Sequence, residues 1–80
     1  MKERIDLIPP SAILGMGEVL AYGKRKYPED DWRVRLTEDD LYAKAMRHLL
    51  KWKENRLDES GLSHLKHAMI NIAFLIEKER

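Results

Sequence analysis

The sequence predicts a small all-α domain: three helices behind an extended N-terminal arm, completed by dimerisation. Three observations predict it. Apolar residues recur at steps of three and four, as in Leu62, Leu65, Met69, Ile72 and Ile76, which is the period of a helix with one buried face. The stretches between these runs are short and carry helix-capping residues. The chain has 80 residues and no cysteine, so disulfides cannot supplement a core that buries only about 60% of the unfolded surface. Tight packing, a metal or association must make up the difference.

Residues 1–10 read as the arm. Pro9 and Pro10 push the residues before them away from helical backbone. Ser11 then caps a first helix over residues 11–22, with Gly23 as its stop. Residues 24–35 read as a charged loop containing Pro28 and Trp32, whose acidic run Glu29, Asp30 and Asp31 fits a solvated segment. Thr37 with Asp40 resembles a capping box and opens a second helix over residues 38–54. Glu38, Asp39 and Asp40 suit the positive end of its dipole; Lys51 and Lys53 suit the negative end. After the turn Asn55, Arg56 and Leu57, Asp58 or Ser60 caps a third helix reaching about Lys78. No repeat, low-complexity tract or domain boundary interrupts residues 1–80, which read as a single domain.

Hydrophobic residues make up 44% and charged residues 36%, with a net charge of +1. That balance argues against a specific nucleic-acid binder. No run of about 18 apolar residues suggests a membrane span, and the charged N-terminus does not resemble a signal peptide. A cytoplasmic protein is the expectation. Gly-rich phosphate loops, His-Asp doublets, zincin motifs and serine or cysteine nucleophile patterns are all missing.

The third helix carries a second stripe. At 100° per residue, Leu62, Leu65, Met69, Ile72, Ala73 and Ile76 form a broad apolar face. His64, His67 and Asn71 fall within an arc of about 60° nearly opposite. Apolar neighbours flank that arc, so it is expected to face a cleft or a partner subunit. On the second helix, Leu41, Ala45, His48 and Trp52 share one face, while Lys44, Arg47, Lys51 and Glu54 mark the wet side. If the two helices pack antiparallel, His48 approaches His64 and His67, with Asp58 close by. Neutral imidazoles suit transition metals, and carboxylates from Asp58 or Glu54 would complete an oxygen-rich site like those of Mg²⁺ or Mn²⁺. The competing reading is that each histidine bonds a nearby backbone carbonyl. Lys24, Arg25 and Lys26, beside Tyr27, could hold phosphates or the face of a base, or simply cap a helix C-terminus.

Four segments in order, "RIDLIPPSAI", "YGKRKY" with a tryptophan soon after, "RHLLKW" and "DESGLSHLKHAMIN", resemble the dATP/dGTP diphosphohydrolase family. This is a phage and bacterial family of MazZ-like proteins, similar in activity to the MazG-like all-α pyrophosphohydrolases. The resemblance covers nearly the whole chain. It implies a MazG-like helical assembly that hydrolyses a purine deoxynucleoside triphosphate to monophosphate and pyrophosphate with Mg²⁺ or Mn²⁺. The matching positions are Lys26, Tyr27, Trp32, His48, Trp52, Asp58, Ser60, Gly61, His64, His67 and Asn71. Two departures stand out: Asp31 replaces the usual Asn before the loop tryptophan, and the turn at residues 55–57 lacks the usual Gly-Glu, leaving Glu54 as the nearest substitute carboxylate.

The resulting assignment is a metal-dependent purine dNTP pyrophosphohydrolase. Glu54, Asp58 and His64 are its catalytic candidates, and Lys26, Tyr27, Trp32, Ser60 and Asn71 its substrate-binding candidates. His48, Asp58, His64 and His67 are its metal candidates. The chain is expected to form a homo-oligomer, because a dimer would cover both faces of the third helix. A cytoplasmic location, the host's if the protein is phage-encoded, goes with this assignment. The alternative is a non-catalytic nucleotide- or protein-binding helical module of phage origin.

Overall fold

The computed structural model describes residues 2–28 and 31–80; Glu29 and Asp30 of the acidic run lie outside them. Among the described residues there are four α-helices and no named strand: α1 Pro10–Lys26, α2 Trp32–Arg35, α3 Glu38–Glu54 and α4 His64–Glu79. The all-α expectation holds, with one short helix more than the three predicted. No helix is long and apolar enough to cross a membrane among these residues.

The N-terminal arm is not extended throughout. Ile5–Leu7 makes one turn of 3-10 helix, beside which Arg4 grips Asp6 at 2.8 Å. Helix α1 begins at Pro10 rather than Ser11, since proline at the first helical position loses no bond. It also runs past Gly23 to Lys26. Gly23 does not take the positive φ of a helix stop, and Lys24, Arg25 and Lys26 favour the negative end of the dipole. The charged loop holds α2, whose N-cap is Asp31: its carboxylate accepts the Arg33 N–H at 3.0 Å.

Helix α3 has the predicted bounds, and its capping box is complete. The Thr37 hydroxyl accepts the Asp40 N–H at 3.1 Å, and the Asp40 carboxylate accepts the Thr37 N–H at 3.0 Å. Helix α4 is capped by Ser63, not by Asp58 or Ser60. Those two residues are committed to the preceding turn, described below.

Helix α4 packs chiefly on α3 and less extensively on α1. Leu41 and Ala45 of α3, Val19 of α1, Leu36, and Ala68 and Ile70 of α4 form the small core. The polar arc of α4 faces a cleft, as its apolar flanks led one to expect. His64 and Asn71 are buried, whereas Leu65, Ile72 and Ile76 of the apolar arc are 42%, 43% and 56% exposed. The polar arc faces α3, so the apolar arc is left turned outward in the single chain. An apolar groove there is lined by Met16, Leu49, Leu65, Met69 and Ile72, among others.

Candidate functional site

The connection between α3 and α4 is what builds the site. The Asn55 side chain accepts the Leu57 N–H at 3.2 Å, so the chain turns directly out of α3. Residues 57–63 then close on themselves. Leu57 pairs with Ser63 in an isolated antiparallel bridge, and the Asp58 N–H donates to the Leu62 carbonyl at 2.8 Å. The loop's far end turns at Gly61, whose φ of +85° suits a residue without a Cβ. Inside it, Asp58 Oδ1 accepts the Ser60 N–H at 2.9 Å, and Ser60 Oγ accepts the Leu62 N–H at 3.3 Å. The His64 N–H, at the start of α4, donates to the Arg56 carbonyl at 2.9 Å. These bonds set the loop's carboxylate and hydroxyl beside the first turn of α4.

Three histidines from two helices meet there. His48 Nδ1 and His64 Nδ1 lie 2.8 Å apart, so one ring donates its N–H and the other accepts with a bare nitrogen. The His48 ring stacks on His67 with centroids 4.8 Å apart and an interplanar angle of 16°. His67 Nε2 is 2.8 Å from Ser60 Oγ and 3.4 Å from Asp58 Oδ1. Asp58 Oδ2 turns instead toward His64 Nδ1, at 4.0 Å. The histidines thus bond one another and the loop, which sets aside the reading in which each satisfies a backbone carbonyl.

Burial, reinforced by neighbouring His67, His64 and Arg47 against the opposing pull of Asp58, lowers the His48 pKa to about 4. Burial likewise lowers His67, with Asp58 opposing. For Asp58 burial acts upward, but the Ser60 N–H and hydroxyl outweigh it, helped by His67 and His48, and the carboxyl ends below its ordinary value. At neutral pH His48 and His67 are therefore uncharged beside an ionised carboxylate, the state in which imidazole ligates metals.

The ligand atoms of His48, Asp58 and His64 all lie within 4.8 Å of one another. Two imidazole nitrogens and one carboxylate oxygen fit a divalent cation, with positions left over for water or substrate. The trio opens into a cleft of about 1220 Å³ between α1, α2, α3 and α4. Lys24, Lys26, Arg33, Arg47 and Lys51 line it, against Asp31, Glu54, Asp58 and Glu59. Its walls therefore carry an excess of positive charge suited to an anionic ligand.

The other predicted residues distribute as follows. Lys26 and Tyr27 line the cleft at the end of α1, with the Lys26 ammonium 5.5 Å from the Tyr27 ring centre. Trp32 lies on the cleft wall, stacked on Phe74 of α4. Asn71 also lines the cleft; its Nδ2 donates to the His67 carbonyl at 2.8 Å. Ser60 acts within the loop, on His67. Glu54 is exposed at the end of α3, on the cleft wall but outside the trio of His48, Asp58 and His64. Sequence reasoning missed Arg47 and Lys51 as cleft residues, assigning them to the wet side; their positions next to His48 and one turn beyond it were the available signal. It also missed Phe74 as the support of Trp32.

No curated protein and no solved structure matches the chain. The family model described as dATP/dGTP diphosphohydrolase, N-terminal, matches residues 1–80. That match, over the whole of residues 1–80, makes this chain a member of the dATP/dGTP diphosphohydrolase N-terminal family.

Proposed function

We propose that the chain hydrolyses a purine deoxynucleoside triphosphate, dATP or dGTP, to the monophosphate and pyrophosphate. The observation that carries this reading is the meeting of His48, His64 and Asp58 inside a cation-lined cleft. At about 1220 Å³ the cleft has room for a nucleoside triphosphate. The family's name supports the substrate class.

In this reading Lys26, helped by Arg47 and Lys51, holds the triphosphate, while Tyr27, half of whose surface is open, stacks on the purine. Trp32, backed by Phe74, forms the adjoining wall, and Asn71 contacts the nucleotide from the floor. A divalent ion, Mg²⁺ or Mn²⁺, held by His48, His64 and Asp58 with His67 beside them, would neutralise phosphate charge and acidify a bound water. Water oxygen forms the new bond to the α-phosphorus, and the bond to the α–β bridging oxygen breaks. Pyrophosphate departs, and Glu54 on the cleft wall takes the proton lost by the water. The protein works in the cytoplasm, the host's if it is phage-encoded.

Association belongs to the same reading. Leu49, Leu65, Ile72 and Ile76 are 45%, 42%, 43% and 56% exposed along one face, and a second copy of the chain would cover them. A homodimer or larger homo-oligomer follows, and a stable monomer in sedimentation at micromolar concentration would contradict it.

Product analysis with each dNTP, with and without Mn²⁺, tests the activity. The wild type should release pyrophosphate from dATP or dGTP, and His64→Ala should lose turnover with helix content intact. Unchanged release in that variant would remove the site. A second reading, a nucleotide-binding module without chemistry, draws on the single carboxylate in the donor trio. It predicts thermal stabilisation by nucleotide with no product.

A further inference from the structure

Resting on the metal-site reading above, we infer that the site takes a divalent ion of the Mn²⁺-to-Zn²⁺ transition series in preference to Mg²⁺, and that His67 positions the ligands without being one.

The donor set argues for the first half. Two of the three converging atoms are imidazole nitrogens, and only one carboxylate is present among them. Mg²⁺ demands oxygen donors and keeps its own waters, whereas imidazole suits the first-row transition ions. His48 Nδ1 and His64 Nδ1 stand 2.8 Å apart in a single N–H···N bond, so the two nitrogens already converge; Asp58 Oδ2, 4.0 Å from His64 Nδ1, has to move inward for one ion to reach all three.

The second half follows from which atoms are already engaged. His67 Nε2 meets both Ser60 Oγ at 2.8 Å and Asp58 Oδ1 at 3.4 Å. Asp58 Oδ1 also accepts the Ser60 N–H at 2.9 Å. Ser60 therefore holds that carboxylate oxygen with His67 set behind it, leaving Oδ2 to face His64. The flat stack of His67 on His48 fixes the second ring as well. One residue thus orients two ligands from outside the trio, as outer partners of metal ligands commonly do.

The test titrates the metal-free full chain with Co²⁺, whose visible d–d absorption reports both binding and ligand set. The wild type should bind one Co²⁺ per chain with a visible d–d spectrum, and Mg²⁺ in hundredfold excess should fail to displace it. His48→Ala, with helix content checked by circular dichroism, should weaken Co²⁺ binding on the order of 100-fold and alter the spectrum. His67→Ala and Ser60→Ala should weaken it about 10-fold and leave the spectrum unchanged. Absence of a Co²⁺ spectrum, or displacement by equimolar Mg²⁺, would overturn the ion assignment without any variant. A changed spectrum in His67→Ala would make that residue a ligand after all. Since no nucleotide is present, these outcomes separate from the hydrolase reading. Co²⁺ binding without pyrophosphate release removes the activity alone; release supported by Mg²⁺ with no Co²⁺ spectrum removes the ion assignment alone.

Discussion

Trp32 lies flat on Phe74, with ring centroids 3.8 Å apart and planes within 5° of parallel. One ring belongs to the four-residue helix α2 and the other to the middle of α4. A helix of one turn has too few internal bonds to persist alone, so this stack is what holds α2 on the cleft. Around it, Arg33 sits 4.8 Å from the Trp32 ring centre, and the Lys78 ammonium donates to the Arg33 carbonyl at 3.2 Å. Phe74→Ala should cost about 2 kcal/mol from lost burial and ring contact. Urea melts read that loss, and Trp32 fluorescence should shift toward that of an exposed indole. An unchanged emission maximum would mean that α2 is held by something else.

Gly61 is the one described residue with positive φ, at +85°. Space is not the obstacle there, since an added Cβ would meet nothing within 4 Å. The backbone is. Gly61→Ala should therefore destabilise by about 1 kcal/mol through strain alone. Because the same loop sets Asp58 and Ser60, Co²⁺ affinity should fall together with stability. A variant of wild-type stability in thermal melts would refute the strain.

The capping box of α3 is exposed and neither Thr37 nor Asp40 lines the cleft, so it reports a helix-end contribution. Thr37→Ala removes the acceptor for the Asp40 N–H and should cost about 1 kcal/mol. Thr37→Ser should recover most of it. Equal loss in both variants would assign the effect to the methyl group instead of the hydroxyl.

Acid should unfold the metal-free protein in two stages. His48 is held at about 4 against an ordinary value of 6.5, with burial as the leading cause, and His67 is shifted the same way. The unfolded chain therefore takes up protons that the folded chain refuses. Stability present above pH 6.5 is lost as pH falls toward 4. Asp58, also lowered, adds a further loss below its ordinary value. Both rings are partly open to solvent, so the fall should be well under the roughly 1.4 kcal/mol per pKa unit of a fully sequestered group. Urea melts with a chelator at several pH values measure it, and His48→Gln should flatten the slope between pH 6.5 and 4. A profile of equal steepness in that variant would locate the titration elsewhere.

Local signals are legible where they depend on a few adjacent residues. The bounds of α3 follow from its capping box and its charged ends, and the meeting of His48 with His64 and His67 follows from helical spacing plus a short turn. Periodicity shows which residues of α4 share a face, but not which face a neighbour within the chain covers. Two stripes on one helix compete, and here the pairing of His64 and His67 with His48, Asp58 and Ser60 turns the polar stripe inward. Asp58 and Ser60 are both plausible caps by residue type. The loop uses both internally, and Ser63, one residue before α4, takes the cap. In the sequence helix α2 shows only its Asp31 cap; the stack of Trp32 on Phe74, 42 positions away in a different periodic run, has no local signal.

His48, Asp58, Ser60, His64 and His67 all fall within twenty consecutive positions, 48 to 67. Closing so brief a stretch of chain takes little entropy, and pairings this local form early during folding. The trio of His48, Asp58 and His64 therefore needs only the α3–α4 hairpin to come together and draws nothing from α1. An ion held there would act as a clasp on that hairpin alone.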